Sequence, residues 1–260
     1  MFRQTIADEG GYELGRRETV ELRPNIWRIA PPKPSANVYL IRDTAKTVLI
    51  DSGTYDTFDY LAGEIGKIGL RPQDIDLVIN THEHYDHIGG NAHLHQTALI
   101  AAHSAAAAKI ANLDEFVTHQ KEHKQLGVDY TPQLWLSEGS QIITGAYRWQ
   151  VIHTPGHTSG SICLYDPAAQ IIFTGDTVVK GEYLTPMLES GSAGEFITSL
   201  EKLLSLKIAL MYPGHGEEST APEKDIRWAM EAARNRLREM NESQPTGGKR
   251  RIQVRADTQS

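Results

Sequence analysis

One cysteine in 260 residues leaves this chain without an intramolecular disulfide. That residue, Cys163, lies in the strand-like run Ser161-Ile162-Cys163-Leu164-Tyr165 and reads as a small buried hydrophobe rather than a reactive thiol. Positive charge is also short. Lys plus Arg number 26 against 33 Asp plus Glu, a formal net charge of -7. This argues against a general nucleic-acid or membrane-surface binder, which needs a basic face; Lys249-Arg250-Arg251 is a local basic patch at the C-terminal end. No window approaches the ~20 apolar residues of a membrane span. The first ten residues lack the apolar centre of a secretory signal. A cytoplasmic protein is expected. What remains is ordinary for a globular chain, 40% hydrophobic and 23% charged, enough for one large core or two modest ones.

Short apolar runs at 19–22, 26–30, 38–42 and 47–51 are separated by turn formers such as Pro24-Asn25 and Pro31-Pro32-Lys33-Pro34. Residues 55–68 place Phe58, Leu61, Ile65 and Ile68 at helical spacing. A buried strand at 75–80 precedes a helix near 86–95, a strand at 98–101 and a helix at 104–112. Residues 113–137 are polar, helical at first, and broken by Gly127 and Pro132. Such an insertion forms a lid, a pocket wall or an oligomer contact. Strands return at 141–144, 148–153, 161–166 and 170–174, followed by a helix at 193–206, a strand at 208–212 and a helix at 221–241. This mixed α/β pattern, with strand clusters in both halves, predicts two sheets packed together with helices outside. One domain is expected over residues 1–244, with 1–17 a polar lead-in and 245–260 a flexible polar tail.

The densest chemistry lies in Thr81-His82-Glu83-His84-Tyr85-Asp86-His87-Ile88-Gly89-Gly90, directly after the apolar run Ile75-Asp76-Leu77-Val78-Ile79. Imidazoles and carboxylates at this density suit a borderline divalent metal such as zinc. Three further segments carry ligand types, each after a strand-like run: Thr154-Pro155-Gly156-His157, Phe173-Thr174-Gly175-Asp176-Thr177 and Tyr212-Pro213-Gly214-His215-Gly216. Glycine there permits a sharp turn, so the next side chain can point into a cleft. Glu83 and Tyr85 alternate with the candidate ligands and are expected to face outward or support the loop. The remaining histidines read as structural or solvated: His93, His95, His103 and His153, and the pair His119 and His123 on a solvated helix face.

This series, together with Asp51, resembles the metallo-β-lactamase-fold hydrolases in order and approximate spacing, from about residue 25 to residue 217. The resemblance implies a four-layer αββα sandwich of two mixed β-sheets with helices on the outer faces. It also implies a dinuclear metal site along one edge of the paired sheets. By that resemblance His82, His84 and His157 hold one metal, Asp86, His87 and His215 hold the other, and Asp176 bridges them. Two zinc ions per chain are expected, although the same ligands admit iron or manganese. The activity implied is hydrolysis, in which hydroxide shared by two cations attacks the carbonyl of a small ester, thioester or lactone. Asp86 is the candidate catalytic residue, able to pass a proton to the leaving group, as water is too. Asp51 is expected to orient the site without being a ligand.

Departures from known subfamilies narrow the reading. Zinc β-lactamases typically have cysteine or serine at the bridging position, so Asp176 argues against antibiotic hydrolysis as the main role. Hydroxyacylglutathione hydrolases carry a Gly-Cys-Gly-Lys/Arg-like segment soon after it. Here Val178-Val179-Lys180-Gly181-Glu182-Tyr183-Leu184 has no cysteine, which weighs against glutathione thioesters and against mono-iron persulfide dioxygenases. The best-known lactonases have tyrosine where Val179 stands, although Tyr183 follows four residues later. His84 argues against flavodiiron proteins, which have glutamate there. The expectation is a hydrolase of the glyoxalase-II-like or lactonase-like group. Its pocket would be built by 113–137 and 180–192, with Tyr183, Leu184, Met187 and Leu188 as an apolar wall for an acyl chain. A mono-iron oxygenase and a weakly active binding or regulatory protein on the same fold stay open as alternatives. The expected partner is a small-molecule substrate, with no nucleic acid and no membrane; a homodimer is compatible with the sequence.

Overall fold

The structure, a computed structural model, describes residues 19–124, 131–187 and 189–242. Strands β1 (Thr19–Arg23), β2 (Ile26–Ile29), β3 (Val38–Arg42), β4 (Thr47–Ile50), β5 (Leu77–Asn80), β6 (Leu99–His103) and β7 (Leu134–Leu136) form one sheet in sequence order. β1 to β4 run antiparallel to their neighbours and β4 to β7 run parallel. Strands β8 (Gln141–Ile143), β9 (Arg148–His153), β10 (Ile162–Asp166), β11 (Ile171–Gly175) and β12 (Leu210–Pro213) form the second sheet, in the order β12-β11-β10-β9-β8. There only the β11–β12 pair is parallel. The helices are α1 (Phe58–Lys67), α2 (Tyr85–Ile88), α3 (Asn91–Leu94), α4 (Ser104–Ala111), α5 (Glu115–Thr118), α6 (Ala193–Leu204) and α7 (Pro222–Glu242).

The period-two alternation of the strands explains the layering. Tyr39, Ile41, Val48, Ile50 and Ile79 of the first sheet meet Val151, Ile162, Leu164, Ile171, Phe173 and Tyr212 of the second in one core. The intervening residues Val38, Leu40, Leu49 and Val78 turn the other way and pack with Leu61 and Ile65 of α1. On the second sheet Cys163, Tyr165, Ile172 and Met211 back onto Phe196, Leu200 and Leu203 of α6 and Ile226, Ala229 and Ala233 of α7. Both faces of the inner strands of each sheet are therefore dry, which is why these strands read as nearly continuous apolar runs. The result is the expected αββα sandwich. Phe173 lies in the inter-sheet core, edge-on to Tyr39 at 5.0 Å and to Trp149 at 5.1 Å.

Two expectations about elements need correction. The single helix near 86–95 is two short turns, α2 and α3, separated at Gly89 and Gly90. A Cβ on Gly90 would lie 2.2 Å from the carbonyl oxygen of Ser52, so the chain runs flush against the loop after β4. Within 113–137, the structure contains α5 and then β7, which extends the first sheet parallel to β6. Leu136 joins the inter-sheet core while Leu134 and Trp135 stay exposed. Three residues are too few for an alternating pattern to register. The expected lead-in and tail, the centre of the insertion at 125–130, and Leu188 lie outside the described residues. No helix among the described residues is long and apolar enough to cross a membrane.

Candidate metal centre

Parallel strands that end together bring their following loops together. β4 and β5 are parallel neighbours, so Asp51 after β4 meets Thr81 after β5. Asp51 Oδ1 accepts from the Thr81 backbone N–H at 2.7 Å and Oδ2 accepts from the Thr81 hydroxyl at 2.8 Å. The second sheet is fixed to the same segment, because Ile162 N–H donates to the Thr81 carbonyl at 2.8 Å. His157 lies in the turn after β9, Asp176 follows β11 and His215 follows β12. All the loops that carry candidate ligands therefore leave the carboxyl ends of strands, the usual place for a site on mixed α/β sheets. Across the seam, the Asn37 amide donates to the carbonyls of Pro213 at 3.0 Å and Gly216 at 2.9 Å, and the Tyr39 hydroxyl donates to Pro213 at 2.7 Å.

The seven candidate ligands converge. His84 Nδ1 stands 3.0 Å from His82 Nε2 and 3.1 Å from His157 Nε2. His215 Nε2 lies 3.1 Å from Asp86 Oδ2 and 3.6 Å from Asp176 Oδ2. His87 Nε2 lies 3.4 Å from Asp176 Oδ1 and 3.7 Å from Asp86 Oδ2. Three sets have ligand atoms within 4.8 Å of one another: His82, His84 and His157; Asp86, His87 and His215; and His82, His87 and Asp176. The third set draws on both of the others, so the two outer sets are adjacent. Gly214 makes this possible, since a Cβ there would lie 2.4 Å from Asp176 Oδ1 and 2.7 Å from the His87 ring.

This donor set fits a divalent cation. His87 Nε2 and Asp176 Oδ1 are buried and lack a hydrogen-bond partner among the described residues. Buried polar atoms left unpaired are costly, and a cation between them would satisfy both. Neutral ring nitrogens meeting at about 3 Å cannot all hold a proton, so their lone pairs need a shared positive centre. Burial pulls His84 down to about 3, and burial likewise holds His82 well below the usual imidazole range. Both rings are thus neutral and ready to ligate. Burial acts the same way on His87, but the carboxylates of Asp176, Asp51 and Asp86 outweigh it and raise it well above that range. Burial would raise Asp86 and Asp176, yet the neighbouring imidazoles win and keep both ionised.

Each ring is held from behind. His87 Nδ1 is 2.8 Å from Asp51 Oδ2, and the His157 Nδ1–H donates to the Pro186 carbonyl at 2.6 Å. Asp51 thus lies behind the His87 ring, in the place expected of a residue that orients the site. The contact from Pro186 carries no signal in the sequence, because a backbone carbonyl belongs to every residue type. Glu83 does not face outward; it is fully buried and supports the loop. His119 is not on a helix face either. It caps α5 in the left-handed region, its ring 6.1 Å from that of His84 and its Nε2 3.3 Å from Glu189. His123 stacks on Tyr85 at 3.6 Å. The segment after α4 thus reaches the rim of the centre. Leu184 and Met187 pack partly buried against the core under α6 and α7, leaving Tyr183 as the exposed aromatic of that loop. His93 lies against Tyr55 and Phe58, and His103 stacks on His153; none of these histidines belongs to the three ligand sets.

A model of the metallo-beta-lactamase superfamily matches residues 32–215. The chain is similar to the acyl-coenzyme A thioesterase MBLAC2 of Gallus gallus, 30% identical over 204 residues, covering 69% of this chain and 72% of the relative. It is also similar to a hydroxyacylglutathione hydrolase of Brucella ovis, 32% identical over 167 residues, covering 63% of this chain and 56% of the relative. Among solved structures, a metallo-beta-lactamase family protein of Thermus thermophilus superposes with a TM-score of 0.71 at 21% identity, covering 85% of this chain and 83% of that one.

Proposed function

Because the chain belongs to the metallo-beta-lactamase superfamily, we propose that it is a metal-dependent hydrolase cleaving a small ester, thioester or lactone. His82, His84 and His157 would hold one cation, Asp86, His87 and His215 the other, and Asp176 would contact both. Two zinc ions, when bound, polarise the substrate carbonyl and lower the pKa of water enough to supply hydroxide at neutral pH.

The chain's own groups do the rest. Asp86, kept ionised by His87 and His215 once their pull exceeds the opposing effect of burial, would face the cation with Oδ2 and accept a proton at its other oxygen, returning it to the leaving group. Asp51 holds the His87 ring with Nε2 toward the centre, and the Pro186 carbonyl does the same for His157. Tyr183 is exposed on the loop that follows Asp176. Its phenol is raised first by burial and then by the Asp176 carboxylate, so it stays protonated as a hydrogen-bond donor to substrate. Similarity to an acyl-coenzyme A thioesterase and to a hydroxyacylglutathione hydrolase favours a carbonyl substrate over a phosphodiester.

One observation carries this reading: two ligand triplets, each within 4.8 Å, joined through a third that contains Asp176. The test is metal content by elemental analysis of purified protein, with hydrolysis assays on thioesters, lactones, aryl esters, phosphodiesters and a chromogenic cephalosporin. Two equivalents of metal and turnover of a carbonyl ester or thioester are expected. One iron per chain with oxygen consumption would overturn it.

A further inference from the structure

Side chains alternate from His82 to His84, ahead of α2, so the residue between these two candidate ligands points away from the centre. At Glu83 this puts a carboxylate in a site with no solvent exposure. Its partners come from three other segments. Lys109 Nζ of α4 is 2.9 Å from Oε1. The Thr158 hydroxyl donates to Oε2 at 2.9 Å, and the Ser190 hydroxyl donates to Oε1 at 3.4 Å. Lys109 in turn donates to Ser159 Oγ at 2.6 Å, and the Ser159 backbone N–H donates to Ser190 Oγ at 3.1 Å. The packing is close enough that a Cβ on Gly160 would lie 2.5 Å from Glu83 Oε2.

His82 and His84 flank Glu83 in the chain, and His157 directly precedes Thr158 and Ser159. We propose that Glu83 and Lys109 are positioning residues, an ion pair with its carboxylate buried that sets the spacing of His82 and His84 relative to His157 and so the metal affinity of that triad. The inference rests on the reading of these three histidines as ligands. A hydroxyl network alone would tie the same segments loosely. The ion pair fixes them more firmly, because separating the partners leaves the Glu83 carboxylate buried without its counter-charge. The other triplet has a carboxylate of its own, Asp51 directly behind His87, which reaches the first triad only through Thr81.

The test is a zinc titration of metal-free protein against a chromophoric chelator, on the full chain and at a temperature well below every variant's melting point. The variants are Glu83→Gln, Lys109→Met and the two combined. Each single change is expected to weaken one zinc equivalent by about 10- to 100-fold and leave the other within about twofold. The double variant, which strands no charge, should be less impaired than the two singles multiplied together. Ser159→Ala keeps the ion pair, removes one Lys109 contact and serves if a single variant does not fold; a several-fold weakening of the same equivalent is expected. Wild-type affinity in every folded variant, or equal weakening of both equivalents, overturns the positioning role. A wild-type protein that binds no zinc overturns the proposed function itself.

Discussion

Asp51 Oδ2 lies 2.8 Å from His87 Nδ1, while its other oxygen accepts from the backbone of Thr81 at 2.7 Å. One carboxylate at the end of β4 thus fixes where the ligand segment starts and which nitrogen of its last histidine faces the centre. Asp51→Asn keeps the shape but can offer His87 an N–H in place of an acceptor. Metal affinity is expected to fall about 10- to 100-fold for one equivalent, read by chelator competition. Unchanged affinity would mean that Asp51 serves only the Thr81 turn.

Metal binding should release protons. Burial alone would keep His87 and His215 neutral, yet the facing carboxylates, Asp176 first among them, raise both. His87 therefore carries a proton at neutral pH in the metal-free chain, His215 holds one more readily than a free imidazole, and either must lose it to ligate. His82 and His84 are already neutral and release none. Zinc titration calorimetry at pH 7 in buffers of different ionisation enthalpy should give about one to two protons released per chain. A heat independent of buffer would refute this.

The same shifts give the metal-free protein a stability optimum. His84 is held at about 3 by burial, so the unfolded chain binds its proton below about pH 6.5 while the folded one does not. Stability from His84 and His82 is present above pH ~6.5 and is lost as pH falls, at up to about 1.4 kcal/mol per unit and group. For His87 and His215 the sign reverses. Their raised values give stability that is full below pH ~6.5 and lost as pH rises through the folded values. Urea midpoints of chelator-treated protein should be highest near pH ~6.5 and lower about two units to either side. A midpoint still climbing as the solution is acidified below that optimum would contradict the assignment.

Loop residues after Asp176 should separate by role. Met187 packs against the helical core of the second sheet, so Met187→Ala is expected to cost about 1–2 kcal/mol in urea unfolding. Tyr183 is exposed, and Tyr183→Ala should stay within about 0.5 kcal/mol. On an identified substrate, Tyr183→Ala should raise KM several-fold. Unchanged kinetics for both variants would remove this loop from the substrate site.

Much of this was legible in the sequence, and for physical reasons. Strands such as β5 and β11 are dry on both faces, so their residues form apolar runs that stand out from the turns around them. The ligand types at 82–87, 157, 176 and 215 are rare in such dense company, and each follows a strand end. β7 was not legible, since its three residues are partly exposed and draw their place in the sheet from β6. Leu184 and Met187 read as a pocket wall because hydrophobicity does not specify which way a loop side chain turns; in the structure they anchor the loop. His119 and His123 read as solvated on helical spacing, whereas a left-handed residue at His119 ends the helix and turns that ring toward His84. Lys109 gave no signal, since its partner Glu83 is 26 residues away in the chain.

Asn37 and Tyr39 belong to the first sheet and its lead-in loop, yet their polar groups close on Pro213 and Gly216 at the end of the second. The candidate ligands divide the same way, 82–87 with one sheet and 157, 176 and 215 with the other. Cations held among them would be bonded to both leaves of the sandwich at once. In a chain with a single cysteine, such a centre would supply the cross-link that sulfur does not, and a chelator would cut it. Stripping the metal should therefore raise amide exchange first at the loops along that rim, while the interior strands of both sheets keep their protection.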